Sequence, residues 1–334
     1  MSGYVDGIMR QWGERYDWNV GFSKPKMKHS SISLIPTQSS GNAATARATL
    51  KAMVQKVPEV MVKVTGGART QRGARAAINY IAREGEKDKE SVELVDQDGN
   101  RYIGAEEVKE AADMLIGEGY AMPEKSKHRQ TFSVVLSMPP GTDREAVARA
   151  AEDFAKKHYS NHQYLIAHHR DESHPHAHII VKSRSSVDGK NMDIRKVTLQ
   201  KWRAGFAKEL EAHGVEAVAT KAKARFKTPL GRNWKKTKFP NTDKNQRSAT
   251  PQEQINREAR NHNLLASVLA NSPKAADRQL SKDIKTWVQE STKKASNDKN
   301  QFNHHNFRPE IAATLRTDLY NVRGRDVAKE HVRN

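Results

Sequence analysis

Residues 168–178 read HHRDESHPHAH and hold five of the chain's 14 histidines, with Asp171 among them and an apolar IIV run directly after. His176 and His178 are two apart, so on a β-strand their side chains share a face. With His169 upstream they supply three neutral imidazoles, a donor set that binds a divalent metal and leaves positions open for substrate oxygens. Against a polyanion, the use of such an ion is to polarise one phosphate. The bland alternative is a surface histidine cluster. Asp171 and His174, on the turn before Pro175, are read as partners that fix which imidazole nitrogen faces the metal.

A polarised phosphate still needs a nucleophile, either water or a tyrosine. Of eight tyrosines, Tyr80 stands out by its setting. It lies in QRGARAAINYIAR (71–83), where Ala74, Ala77, Ile78 and Ile81 have helical spacing. Arg75 and Arg83 flank it about one turn away, and cations there favour a phenolate. A phenolate beside a metal-bound phosphate would give a covalent phosphotyrosine. On spacing alone, a tyrosine on a helix is core packing, so composition does not decide the matter.

The elements that must position these groups are legible around them. Val60–Val64 is a β-branched strand broken by Gly66-Gly67, and the helix at 71–83 follows, with Gly85 as its stop signal. Residues 86–129 look inserted: a hairpin about Asp98-Gly99 within Ser91–Ile103, then a short helix at Glu106–Ile116. Gln130–Met138 is a strand. Thr142 is expected to cap a helix running to about His158, with Glu145 three residues later. Gln163–His169 and His176–Ser183 are strands, a turn at 187–190 leads to a short one near Asn191–Ile194, and Thr198–His213 is an amphipathic helix ended by Gly214. Short loops favour antiparallel neighbours with helices over one face. The expected fold is α+β, an antiparallel five-stranded sheet with helices packed on it, occupying residues 58–218.

Outside that domain lie an N-terminal extension (1–57) and a basic C-terminal region (219–334), helical or partly disordered. Trp12, Tyr16 and Trp18 in the extension suit docking on a core or on DNA, and Ala43–Lys56 reads as a helix. Residues 220–334 carry 25 Lys/Arg against 11 Asp/Glu, and KAKARFKTPLGRNWKKTKF (221–239) contains no acid. Arg225, Trp234 and Lys235 typify that stretch, in which cations alternate with aromatics, as suits a phosphate backbone with bases to stack on. Short helices are expected at Pro251–Leu269, Arg278–Thr292 and Pro309–Tyr320.

The whole chain of 334 residues is 36% hydrophobic and carries a net charge of +19. That excess points to a polyanionic partner. With no cysteine, disulfides and thiolate metal sites are excluded. No apolar run approaches the roughly 20 residues of a membrane span, and the N-terminus lacks a signal-peptide layout. A cytoplasmic nucleic-acid-binding protein, not inserted in a membrane, is the expectation.

Three stretches in order carry a resemblance. His169-x-Asp171-x-x-His174-Pro175-His176-x-His178 with IIV resembles the metal motif of the HUH-superfamily conjugative relaxases, nearest the MOB-P class with its T-DNA-transfer members. INYIAREG (78–85) resembles their nucleophile motif, and VVLSMPPGTD (134–143) the motif whose serine contacts DNA at the cleavage site. The resemblance spans about 60–215. It implies that Tyr80 attacks the phosphate at the nick site and becomes linked to the 5′ end. It also implies that His169, His176 and His178 hold Mg²⁺ or Mn²⁺, that Ser137 positions the DNA 3′ to the break, and that Asp171 orients or helps deprotonate, with His174 in support. Arg75, Arg83 and Lys182 fall among the expected DNA contacts, Lys182 standing where the family often has Asn. Implied partners are single-stranded origin-of-transfer DNA, accessory relaxosome proteins and the coupling protein of a type IV secretion channel. The setting would be the bacterial cytoplasm, with translocation into a recipient alongside the DNA.

Three rivals stand beside this reading. A rolling-circle replication initiator shares the chemistry but would bring a helicase segment or a second active tyrosine. A non-catalytic DNA-binding regulator would keep the histidines as a structural metal site. A nuclease using water would cut without Tyr80.

Overall fold

A computed structural model describes residues 2–16, 42–85, 90–226 and 251–302. Six strands form one sheet in the order β1-β4-β6-β5-β2-β3, and every neighbouring pair is antiparallel. They are β1 (Met61–Gly66), β2 (Leu94–Asp96), β3 (Arg101–Tyr102), β4 (Thr131–Ser137), β5 (Tyr164–His169) and β6 (His176–Lys182). Between them run α3 (Gln71–Ala82), α4 (Ala105–Gly117) and α5 (Arg144–His158), and α6 (Lys196–Ala212) follows the last strand.

The sheet has six strands rather than the expected five because the hairpin at Gly99, read as an insertion, adds β2 and β3 to the edge of β5. Asn191–Ile194 contributes only an isolated bridge, Arg184 to Asn191. Helices cover both faces, not one. The alternation of β4, β5 and β6 sends Val134, Leu136, Ile166, Ile179 and Val181 to one side, where Phe154 and Tyr159 beside α5 and Trp202 and Phe206 of α6 bury them. The other side presents Leu94, Leu165, Ala167 and Ile180 to α3 and α4. Along β1 this second face is exposed at Met61, 47%, whereas Val135 and Ser137 of the adjoining β4 are buried.

Local chemistry sets the helix ends. Thr70 caps α3 by accepting from the Gly73 amide at 3.0 Å. Asp143, not Thr142, caps α5, accepting from the Glu145 amide at 2.9 Å, while the Thr142 hydroxyl donates to the Pro139 carbonyl at 2.8 Å. Both residues suit the position, and the carboxylate took it.

A second core lies outside the sheet. The N-terminal helices α1 (Ser2–Arg15) and α2 (Ala43–Val54) pack with α7 (Pro251–Ala270), α8 (Ala275–Phe302) and a short 3₁₀ turn at Ala222–Arg225. Trp12, Tyr16, Leu50, Phe226, Leu265 and Trp287 are buried there, so helices from before and after the sheet share one cluster. Trp18, Trp234, Lys235 and the helix expected at Pro309–Tyr320 lie outside the described residues. Among the described residues no helix is long and apolar enough to cross a membrane.

Candidate active site

His169 closes β5 and His176 opens β6, and the antiparallel register sets them directly opposite each other. His178 is two residues further along β6 and therefore on the same face. The turn between them is tied down by Pro175, whose carbonyl accepts from the Met138 amide at 3.1 Å. Ring centroids lie 5.1 Å apart for His169–His176, 4.6 Å for His169–His178 and 5.1 Å for His176–His178. One nitrogen from each ring falls within 4.8 Å of the other two.

These residues fit a divalent cation on two further grounds. Burial, with the neighbouring imidazoles second, pushes His178 down to about 3, and burial also lowers His169, so both present lone pairs near neutral pH. Their orientation is prescribed as well. His169 Nε2 lies 2.8 Å from the Ile81 carbonyl and His176 Nδ1 lies 2.8 Å from the His174 carbonyl. A carbonyl only accepts, so these nitrogens carry the protons, leaving Nδ1 of His169 and Nε2 of His176 for the metal. Sequence reasoning expected side chains of Asp171 and His174 in this role. Backbone carbonyls perform it, and nothing in a sequence marks them.

Tyr80 stands over this triad. The apolar face of α3, Ala74, Ile78, Ile81 and Ala82, packs on the sheet, which turns Tyr80 outward, 58% exposed. Its ring meets the His178 ring edge-on, 6.4 Å between centroids. Ser137 is opposite His176 in the register and so extends the same row across β4. It is buried, with its hydroxyl 3.4 Å from the Met138 carbonyl. Lys63 of β1, in the cross-strand row of Val135 and His178, and Arg72 of α3 are exposed, with no ion pair among the described residues.

Four of the expected DNA contacts are otherwise engaged. Arg75 pairs with Asp113 of α4, since its position on the helix points it toward that neighbour rather than toward Tyr80. Arg83 is only 5% exposed and donates to Asp171 at 2.7 Å. Lys182 shares the histidine face of β6 but is covered by the end of α4; Nζ donates to the Glu118 carbonyl at 2.6 Å and to Gln163 at 2.9 Å. Burial holds its ammonium at about 8. Arg225 is mostly buried against Glu59, 3.0 Å away. His168, the remaining histidine of the cluster, points through the sheet to Glu152 at 3.0 Å.

Residues 80–215 match the family model of the MobA/VirD2-like relaxase nuclease domain. This stretch is similar to a relaxase nuclease domain. It includes β6, both flanking strands and the triad, and it begins at Tyr80 itself. Among curated proteins, the chain is similar to the T-DNA border endonuclease VirD2 of Rhizobium radiobacter, 26% identical over 143 residues, which is 38% of this chain and 32% of that protein. The corresponding protein of Rhizobium rhizogenes is 24% identical over 143 residues, 38% of this chain and 31% of that one. The matched stretch thus spans about a third of the length of these relatives.

Proposed function

We propose that the protein nicks one strand of DNA by transesterification at a specific origin or border sequence, to start strand transfer. The observation that carries this reading is the exposed phenol of Tyr80, edge-on to His178 and beside three imidazoles whose ligand atoms lie within 4.8 Å. A divalent cation, Mg²⁺ or Mn²⁺, held by His169, His176 and His178 would supply polarisation of the scissile phosphate.

The chain's own residues do the rest. Tyr80 Oη gives up its proton and attacks phosphorus. The bond to the 3′ oxygen breaks, that oxygen takes up a proton, and a 5′-phosphotyrosine forms. The adduct conserves the energy of the phosphodiester, so rejoining needs no nucleotide cofactor. Ser137, in the same row as His176, would bind the strand 3′ to the break. The exposed cations Lys63 and Arg72 would attract its phosphates. The attack needs an unpaired strand, which accounts for accessory proteins that melt the origin. The name of the relatives, T-DNA border endonuclease, supports a short border or origin sequence as substrate. The MOB-P assignment rests on the order of the three motifs. Delivery through a type IV channel, with its coupling protein as partner, rests on the basic C-terminal residues.

The test is incubation with single-stranded origin DNA and Mn²⁺, with mass spectrometry for a tyrosine-linked adduct. Tyr80→Phe should lose adduct and nicking by about 10⁴-fold or more while retaining oligonucleotide binding. Cleavage that survives this change and leaves a free 5′-phosphate would instead identify water as the nucleophile. Unchanged DNA binding with no cleavage by either protein would favour a regulator.

A further inference from the structure

The chain ends the tyrosine helix in an unusual way. Arg83 follows Ala82 with φ 58° and ψ 28°, in the left-handed region, where glycine or asparagine is the usual choice and a long side chain is strained. Gly85, two residues on, is also at positive φ, so a small residue was at hand for the turn. The Arg83 side chain is 5% exposed, and a guanidinium withdrawn from water needs a partner. That partner is Asp171, Nη2 to Oδ1 2.7 Å, in the turn that joins the two histidine strands.

A second tether starts two residues earlier. The Ile81 carbonyl, one of those left without a partner at a helix C-terminus, accepts from His169 Nε2 at 2.8 Å. The end of α3 is therefore fastened to the ligand-bearing strand and turn at positions 81 and 83. Tyr80 is the residue immediately before both fastenings.

We propose that Arg83 is a positioning residue: its ion pair with Asp171 locks the end of the tyrosine helix to the histidine turn and so sets the distance from the phenol to the metal-binding nitrogens. This deepens the relaxase reading and rests on it. It also gives Asp171 a different duty from proton transfer, because a carboxylate committed to a guanidinium is a poor base.

The experiment uses the full chain with 3-fluorotyrosine at its eight tyrosines, the Tyr80 resonance being assigned by its loss in Tyr80→Phe. Titrated Mn²⁺ broadens nearby ¹⁹F lines with the inverse sixth power of distance, and Mg²⁺ serves as the diamagnetic control. In the unaltered protein Tyr80 should broaden most. In Arg83→Gln and in Asp171→Asn, which leaves the helix end untouched, Tyr80 should lose most of that broadening at equal Mn²⁺ occupancy, with oligonucleotide and Mn²⁺ affinities retained. Adduct formation should fall in both variants, and the double variant should be no worse than either single one. Arg83→Lys should restore part of both signals. Broadening that is unchanged in both variants overturns the proposal. So does a much larger loss in Asp171→Asn than in Arg83→Gln, with disappearance of the acidic limb of the pH–rate profile, which would make Asp171 the proton acceptor. If the unaltered protein forms no adduct, the relaxase reading fails, whereas the broadening still tests the tether.

Discussion

Three imidazoles make a metal site only if their lone pairs converge and stay unprotonated. Register supplies the first condition, since His169 and His176 are cross-strand partners. Burial supplies the second at His178 and His169. His178→Ala should therefore weaken Mn²⁺ binding, measured by calorimetry, by more than about 100-fold, because even outer partners of ligands are worth about 10- to 100-fold. His168→Ala should leave it unchanged, since that ring faces Glu152 on the other side of the sheet. Equal losses in the two variants would remove the face argument on which the site rests. The histidine triad was legible from spacing and residue type, whereas Tyr80 was singled out by resemblance to the relaxase motif. The orienting carbonyls of Ile81 and His174 were not, because every residue has a carbonyl and only geometry decides which one is used.

At the scale of elements, β6 carries functional and structural residues on one face. Its alternation sends His176, His178, Ile180 and Lys182 to the same side, yet the two ends of that row meet different surroundings: the Tyr80 ring at His178 and the end of α4 at Lys182. The lysine's folded value of about 8 lies below the ordinary 10.5. The unfolded chain keeps its proton to higher pH, so stability contributed at this site is absent below pH 8 and rises between about 8 and 10.5. The full rise is on the order of 3 kcal/mol, at 1.36 kcal/mol per unit. Urea denaturation at pH 7 and 9.5 should show Lys182→Met lacking the increase in stability that the unaltered protein gains. A variant that gains as much as the parent would mean the ammonium is solvated. The exposed cations Lys63 and Arg72 make a separate prediction. Lys63→Ala and Arg72→Ala should each lower the salt dependence of single-strand binding by about 0.7 in slope, one counterion's worth, with metal affinity unaltered. Slopes equal to the parent's would place the strand elsewhere.

Across the described residues, the N-terminal helices meet α7 and α8. Tyr16 is hydrogen-bonded to Glu258, and Arg47 bonds Asp277 at 2.7 Å. Trp12, Phe226 and Trp287 surround His262 in the same core. Ending the chain at residue 250 should expose Trp12, Leu50 and Phe226 together, lowering the melting temperature and creating a surface that binds a hydrophobic dye. Unaltered melting and no dye binding would show that α1 and α2 hold together without α7 and α8. Sequence alone made the α+β class, most strand and helix positions of the central domain and the histidine set legible. These depend on local periodicity and on residue chemistry within a few positions. It could not show the sixth strand, the helices on both sheet faces, the burial of Arg83, Lys182 and Arg225, or the packing of the N-terminal helices against α7 and α8. Those were decided by which surfaces meet across tens to hundreds of residues: a cation looks alike in the chain whether a carboxylate, a carbonyl or a phosphate will finally face it.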